Sequence, residues 1–286
     1  MSEVAVFFLH GLAYAGLLFL VSSGLTLVFG MMNVLNFAHA SFYMLGAYFA
    51  YSLLHITGSF WLALLISPLL LMVLGALIER FLLRKVHVLG HVHELLLTFG
   101  IAYIIHEGVK WIWGTSPQAM AVTGFLADTV NLMGITYPVY RLFIFGVSVT
   151  LGLLMALVLF KTRIGIIVRA AVDDSSMVAA LGINVPMVFM GVFAVGAALS
   201  GFAGVTAGPL LSVFPGMAET ILIDAFVVIV MGGMGSLGGA VLASFIIGQL
   251  QSFGVILFPQ FSLALIYMLM ALVLVVKPEG LFGEKQ

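Results

Sequence analysis

Residues 60–83 read FWLALLISPLLLMVLGALIERFLL, and the first nineteen of them carry no charge. A helix needs about 20 predominantly apolar residues to cross a bilayer, so this run predicts a membrane-spanning helix. Cutting the rest of the chain at its polar and Gly/Pro clusters gives eight more apolar runs: 4–29, 37–54, 95–113, 139–160, 187–211, 220–231, 237–258 and 261–276. The pattern predicts an all-α polytopic membrane bundle of about nine segments, with eight or ten as the neighbouring counts. The run at 220–231 is too short to span comfortably. It and the start of 37–54 are the expected sites of broken or re-entrant helices, because irregular backbone at membrane depth must be buried in protein or line a cavity.

Composition agrees with lipid as the solvent. Of 286 residues, 63% are apolar and 7% charged, where soluble domains carry roughly 45–50% and about 25%. The mean hydropathy is +1.28. Ten Lys and Arg against eleven Asp and Glu leave a net charge of −1, which provides no basic field for nucleic acid. The absence of cysteine excludes disulfides, thiolate metal sites and cysteine nucleophiles. Thirty-two glycines point to close helix packing with deliberate breaks. The N-terminal run has no basic n-region and no small-x-small cleavage site, so it is read as a first span and not as a removable signal. Residues 1–286 are read as one transmembrane domain.

Orientation follows from the cations, which gather at cytoplasmic helix ends. Arg80, Arg84 and Lys85 follow the third run, Lys161, Arg163 and Arg169 the fifth, and Lys277 and Lys285 the ninth. With nine segments these share one side, which places the N-terminus outside and the C-terminus in the cytoplasm. Lys110 and Arg141 then lie at the outer boundary with Trp111 and Trp113. The outer stretch 114–138 is expected to form a cap. The inner stretch 161–186 contains a short amphipathic helical pattern at 169–181, closed by Gly182 and Pro186.

Several residues invite a chemical reading. Asn33, Asn36 and His39 interrupt apolar continuity, either to satisfy freed backbone groups or to line a translocation path. Asp224 is an intramembrane acid, with pairing to another helix or to a partner subunit as the alternative to a functional role. Glu107 and Lys110, three apart on one helix, are expected to pair with each other. His87, His91 and His93 precede Glu94 in an inner loop, and no metal site is assigned there. The run from Gly232 to Gly239 lacks the lysine of a phosphate-binding loop and is read as a hinge or a close-packed break. No catalytic constellation and no cofactor motif is found, so the chain is read as a non-enzyme.

Four motifs carry a resemblance that covers nearly the whole chain. Arg169-Ala170-Ala171-Val172-Asp173-Asp174 with Ala179-Ala180-Leu181-Gly182-Ile183-Asn184 resembles the coupling loop of permease subunits in the branched-chain amino-acid ABC importer family. Asn33-Val34-Leu35-Asn36-Phe37-Ala38-His39 with Tyr43-Met44-Leu45-Gly46-Ala47-Tyr48 resembles that family's N-terminal motif. Gly232-Gly233-Met234-Gly235-Ser236-Leu237-Gly238-Gly239 resembles its glycine-rich break, and Pro278-Glu279-Gly280-Leu281-Phe282-Gly283 its tail. The subunit type is the one with a short N-terminus. After Ala38-His39 the family usually has glycine and often an acid, whereas this chain has Ala40 and Ser41.

The resemblance implies a bacterial inner-membrane permease subunit that takes branched-chain or related amino acids from an extracytoplasmic solute-binding protein. It implies a second homologous permease subunit and two cytoplasmic ATPase subunits as partners, in addition to membrane lipid. A substrate path is expected beside Asn33, Asn36, His39, Asp224, Gly232, Gly233 and Gly235, and ATPase coupling through Arg163, Arg169, Asp173, Asp174 and Gly182. An ion- or proton-coupled carrier is the alternative, although Asp224 and His39 are almost the only intramembrane ionisable groups it would have. An intramembrane hydrolase would need a nucleophile and base that are not found.

Overall fold

The computed structural model describes residues 2–283 apart from Val34, Thr123 and Met133. Val34 of the N-terminal motif and Lys285 of the inner cations therefore lie outside the described residues. Helix α1 (Ser2–Met32) is followed by α2 (Ala38–Thr57) and α3 (Phe60–Ile78), and a π-helical turn, Glu79–Leu83, runs on into α4 (Arg84–His87). Then come α5 (His91–Trp113), α6 (Val139–Lys161), α7 (Arg163–Asp173), α8 (Ser175–Ala180) and α9 (Val185–Leu211). The last three are α10 (Met217–Gly232), α11 (Leu237–Leu257) and α12 (Ser262–Val276).

Each of the nine apolar runs is helical, but the count of about nine crossings is not reached on length and composition. Among the described residues, six helices are long and apolar enough to cross a membrane: Val4–Met32, Phe60–His87, His91–Trp113, Val139–Lys161, Val185–Leu211 and Leu237–Leu257. At a rise of about 1.5 Å per residue, the 16 residues of α10 and the 15 of α12 fall short of the roughly 30 Å hydrocarbon core. Helix α2 has 20 residues, and polar groups such as His39 and Ser41 dilute its apolar run.

Helix α1 is central and packs against α11, α9 and α6, while α9 packs against α3 and α2. Glycine sets how close these helices come. A Cβ on Gly204 of α9 would overlap the carbonyl oxygen of Tyr43 on α2, and one on Gly46 would overlap the Gly201 backbone. Small residues at such crossings let backbones meet, which in lipid replaces the missing hydrophobic drive for helix association. Outward positions such as Leu65, Leu69 and Val73 of α3 are exposed, as expected where the surrounding solvent is hydrocarbon.

The stretch 114–138 departs from an all-helical reading. It holds a 3-10 turn, Gly124–Ala127, and an antiparallel hairpin of β1 (Thr129–Leu132) and β2 (Ile135–Pro138), with Val130 opposite Tyr137. Strands of four residues are too short to give a readable alternation. The Tyr137 hydroxyl lies 3.1 Å from His10 Nδ1, and paired backbone bonds between Gln118 and Val213 (2.8 and 2.9 Å) tie the stretch to the end of α9.

The stretch 161–186 also corrects the sequence reading. The single helix expected at 169–181 is two, α7 and α8, divided at Asp174, whose backbone is extended (φ −151°, ψ 94°). The Asp174 side chain accepts hydrogen bonds from the amides of Ser176 and Met177, both 2.9 Å, and so caps α8. An Asp-Asp-Ser-Ser run can continue a helix or cap a new one, and here the cap prevails. Gly182 follows with φ +81°, and Asn184 caps α9 by accepting from the Met187 amide at 3.2 Å.

Candidate functional site

The first break separates α1 from α2. Asn33 has φ +51° and is exposed. Asn36 is buried, and its Oδ1 accepts from the Ala38 amide at 3.0 Å, closing the turn that leads into α2. His39 is buried too: Nε2 is 3.0 Å from the Val21 carbonyl oxygen, and the ring lies against Gly24 of α1. The Ser200 hydroxyl donates to the His39 carbonyl at 2.8 Å. Asn36 and His39 are thus engaged with the break and with α1, and α9 closes over them.

The second break lies between α10 and α11. Gly233 and Gly235 have φ of +104° and +82°, a region open to glycine at no steric cost. The C-terminal tail pairs with this break, Leu281 N–H donating to the Met231 carbonyl (2.8 Å) and Phe282 N–H to that of Gly232 (2.9 Å). A Cβ on Gly235 would lie 3.5 Å from Gly30 Cα, so the glycine break abuts the end of α1 just before Asn33. Asp224 stands apart, about two turns up α10, where its Oδ2 accepts from the Tyr14 hydroxyl of α1 at 2.6 Å.

The coupling candidates sit on the stretch 161–186. Arg163, Arg169, Asp173 and Asp174 are exposed. The Arg169 guanidinium lies 5.2 Å from the centroid of the Phe160 ring. Between α4 and α5, His87 pairs with the buried Glu94.

What the sequence did not reveal is a groove of about 370 Å³ between α5 and α10, with α2 as its floor. Phe37, at the first break, meets Phe99 and Phe226 edge-on at 6.2 and 5.6 Å, and with Ala40 it lines the end of the groove next to the break. Ser41 faces the groove one residue on. Thus the two positions that depart from the family pattern, Ala40 and Ser41, point into the groove, while His39 points away. Polar groups line its other part. Lys110 Nζ donates to Glu107 Oε1 at 2.8 Å, as expected from their spacing. Across the groove, His106 Nδ1 lies 2.9 Å from Glu219 Oε1, without the alignment of a hydrogen bond. Glu219 falls one residue before the apolar run that begins at Thr220. Only the folding of α10 against α2 brings it opposite His106.

The chain is thus a helical bundle broken at two places, with a part-polar groove beginning at one of them. The model of the family described as branched-chain amino acid transport system, permease component, matches residues 7–275, and the chain belongs to that family. The chain is 28% identical over 291 residues to the high-affinity branched-chain amino acid transport system permease protein BraD of Pseudomonas aeruginosa, covering 97% of this chain and 95% of that one. It is 27% identical to the corresponding LivH of Escherichia coli K12, over all of this chain and 99% of LivH. To the E. coli permease protein LivM it is 26% identical, over 90% of this chain and 66% of LivM. No solved structure matches significantly.

Proposed function

We propose that the chain is the membrane permease subunit of an ATP-driven ABC importer for branched-chain or related amino acids. The family match over residues 7–275 carries this reading and favours it over the ion-coupled carrier. The similarity to both LivH and LivM supports pairing with a second homologous permease subunit. Two cytoplasmic ATPases would dock on α7 and α8, and an extracytoplasmic binding protein would deliver solute near the hairpin. The nine apolar helices would all lie within the bilayer, with α2, α10 and α12 as partial crossings shielded by neighbours. The substrate path would follow the groove along α2 to the first break and leave past Gly232, Gly233 and Gly235. Reconstitution with the partner subunits tests this reading, and ATP hydrolysis is then expected to drive L-leucine uptake.

The proposed orientation puts the N-terminus outside and α7 and α8 in the cytoplasm. Because the chain has no cysteine, Ser116→Cys and Ser176→Cys give unambiguous reporters at exposed positions. An impermeant maleimide added to intact cells is expected to label the first variant only, and labelling of the second alone would invert the topology.

A further inference from the structure

We infer that the groove between α5 and α10 is a transit site for a zwitterionic amino acid with an apolar side chain, in which Lys110 receives the α-carboxylate and Glu107 and Glu219 receive the α-ammonium. The inference rests on the permease reading and adds the residues that hold the solute. Four ionisable side chains, His106, Glu107 and Lys110 from one turn of α5 and Glu219 from α10, converge on a groove of about 370 Å³. That volume is within the range of about 300–1,000 Å³ usual for small-molecule sites. Ionisable groups in a membrane bundle that face a cavity mark solute pathways, and these include both signs.

The chemistry fits a zwitterion better than an ion. Glu107 and Lys110 offset one another, and Glu219 lies opposite His106, which carries a charge toward it only when protonated. A ligand bearing both signs can pair with Lys110 and with the glutamates at once, whereas an anion would also face Glu107 and Glu219 and a cation would also face Lys110. Lys110 Nζ would donate to the ligand carboxylate, and the ligand ammonium to the glutamates, as charge-assisted hydrogen bonds.

The resident contacts are easily surrendered. Glu107, Lys110 and Glu219 are one-third or more exposed, where an ion pair contributes little, and His106 makes no aligned hydrogen bond to Glu219. The rest of the groove suits an aliphatic side chain. Phe37, Ala40, Phe99, Ala102 and Leu222 give apolar lining, and Ser41 lines the groove with them. Such a site binds weakly, and a solute in transit must leave as readily as it enters.

The test uses the complete complex in liposomes, [3H]-L-leucine as probe and uptake per assembled complex as readout. The double exchange E107K/K110E keeps the i,i+3 pair and reverses its polarity, so an ion pair that merely supports α5 tolerates it. Transit through this site predicts at least a tenfold fall in uptake for E107K/K110E and K110Q, with K110R within twofold of wild type. K110Q adds neither charge nor bulk and carries the same reading if the double exchange does not assemble. Wild-type uptake in K110Q overturns the groove assignment while leaving the permease reading intact. Loss of assembly in K110Q with normal uptake per surviving complex also overturns it, and makes the groove a seat for the second permease subunit. If the wild-type complex shows no ATP-driven uptake, both readings fall together.

Discussion

Replacing Gly204 with valine is expected to remove the folded permease from the membrane, leaving less than a tenth of the wild-type amount in a detergent extract. A Cβ at this position would overlap the carbonyl oxygen of Tyr43, so α2 and α9 must separate. Overpacking costs about 1–3 kcal/mol where side chains can move aside, and here the obstacle is backbone. Separation also loosens the Ser200 bond to the His39 carbonyl and exposes the buried His39 ring, leaving polar groups of the first break unsatisfied in lipid, which is itself costly. Gly191 on the same helix has open space around its Cβ position, so Gly191→Ala serves as the control and is expected to accumulate normally. Fluorescence-detected size-exclusion of tagged variants checks both, and a normal peak for Gly204→Val would show that the α2–α9 crossing is looser than described.

The second large effect concerns force transmission and is expected from Gly182→Val. Gly182 has φ +81°, a conformation that costs an ordinary L-residue roughly 1–2 kcal/mol and is a genuine outlier for a β-branched one. It turns the chain between α8 and α9. Valine there would rebuild that turn and misalign the α7–α8 pair with any ATPase docked beneath it. Because a Cβ would meet no neighbouring atom, insertion and packing of the spans are expected to survive. Transport per assembled complex should therefore fall at least tenfold while the subunits still copurify. Asp173→Arg, which reverses an exposed charge at the end of α7, is expected to act in the same direction and less strongly. Normal uptake in both variants would remove α7 and α8 from the coupling route.

How much of this was legible in the sequence depended on the range of the interaction concerned. Apolar runs set the helices, because helix satisfies its backbone locally and needs no distant partner in lipid; all nine runs are helical within a few residues. The glycine break at Gly232–Gly239 was legible for the same reason, since positive φ leaves its mark in local composition. Asp174 was misread because the choice between continuing a helix and capping a new one turns on a single side-chain orientation. The hairpin at Thr129–Pro138 was missed because four-residue strands leave no periodicity. The groove was not legible at all. His106 and Glu219 are separated by more than a hundred positions, and only the meeting of α5, α2 and α10 turns them into a pair. Conversely, Asn36 and His39 stood out as polar residues in an apolar context, and in the fold Asn36 Oδ1 and His39 Nε2 find backbone partners at the break and on α1, while their neighbours Phe37, Ala40 and Ser41 line the groove.

The central claim is that this chain moves solute only as one part of an ATP-driven assembly. The direct measurement is uptake of radiolabelled L-leucine into liposomes holding either the chain alone or the chain with the second permease subunit and both ATPases, with ATP enclosed and binding protein supplied on the opposite side. The account predicts accumulation by the full assembly that stops when ATP is replaced by a non-hydrolysable analogue, and none by the chain alone under a proton or sodium gradient. Gradient-driven accumulation by the chain alone, unaffected by ATP, would contradict it and make the protein a carrier in its own right.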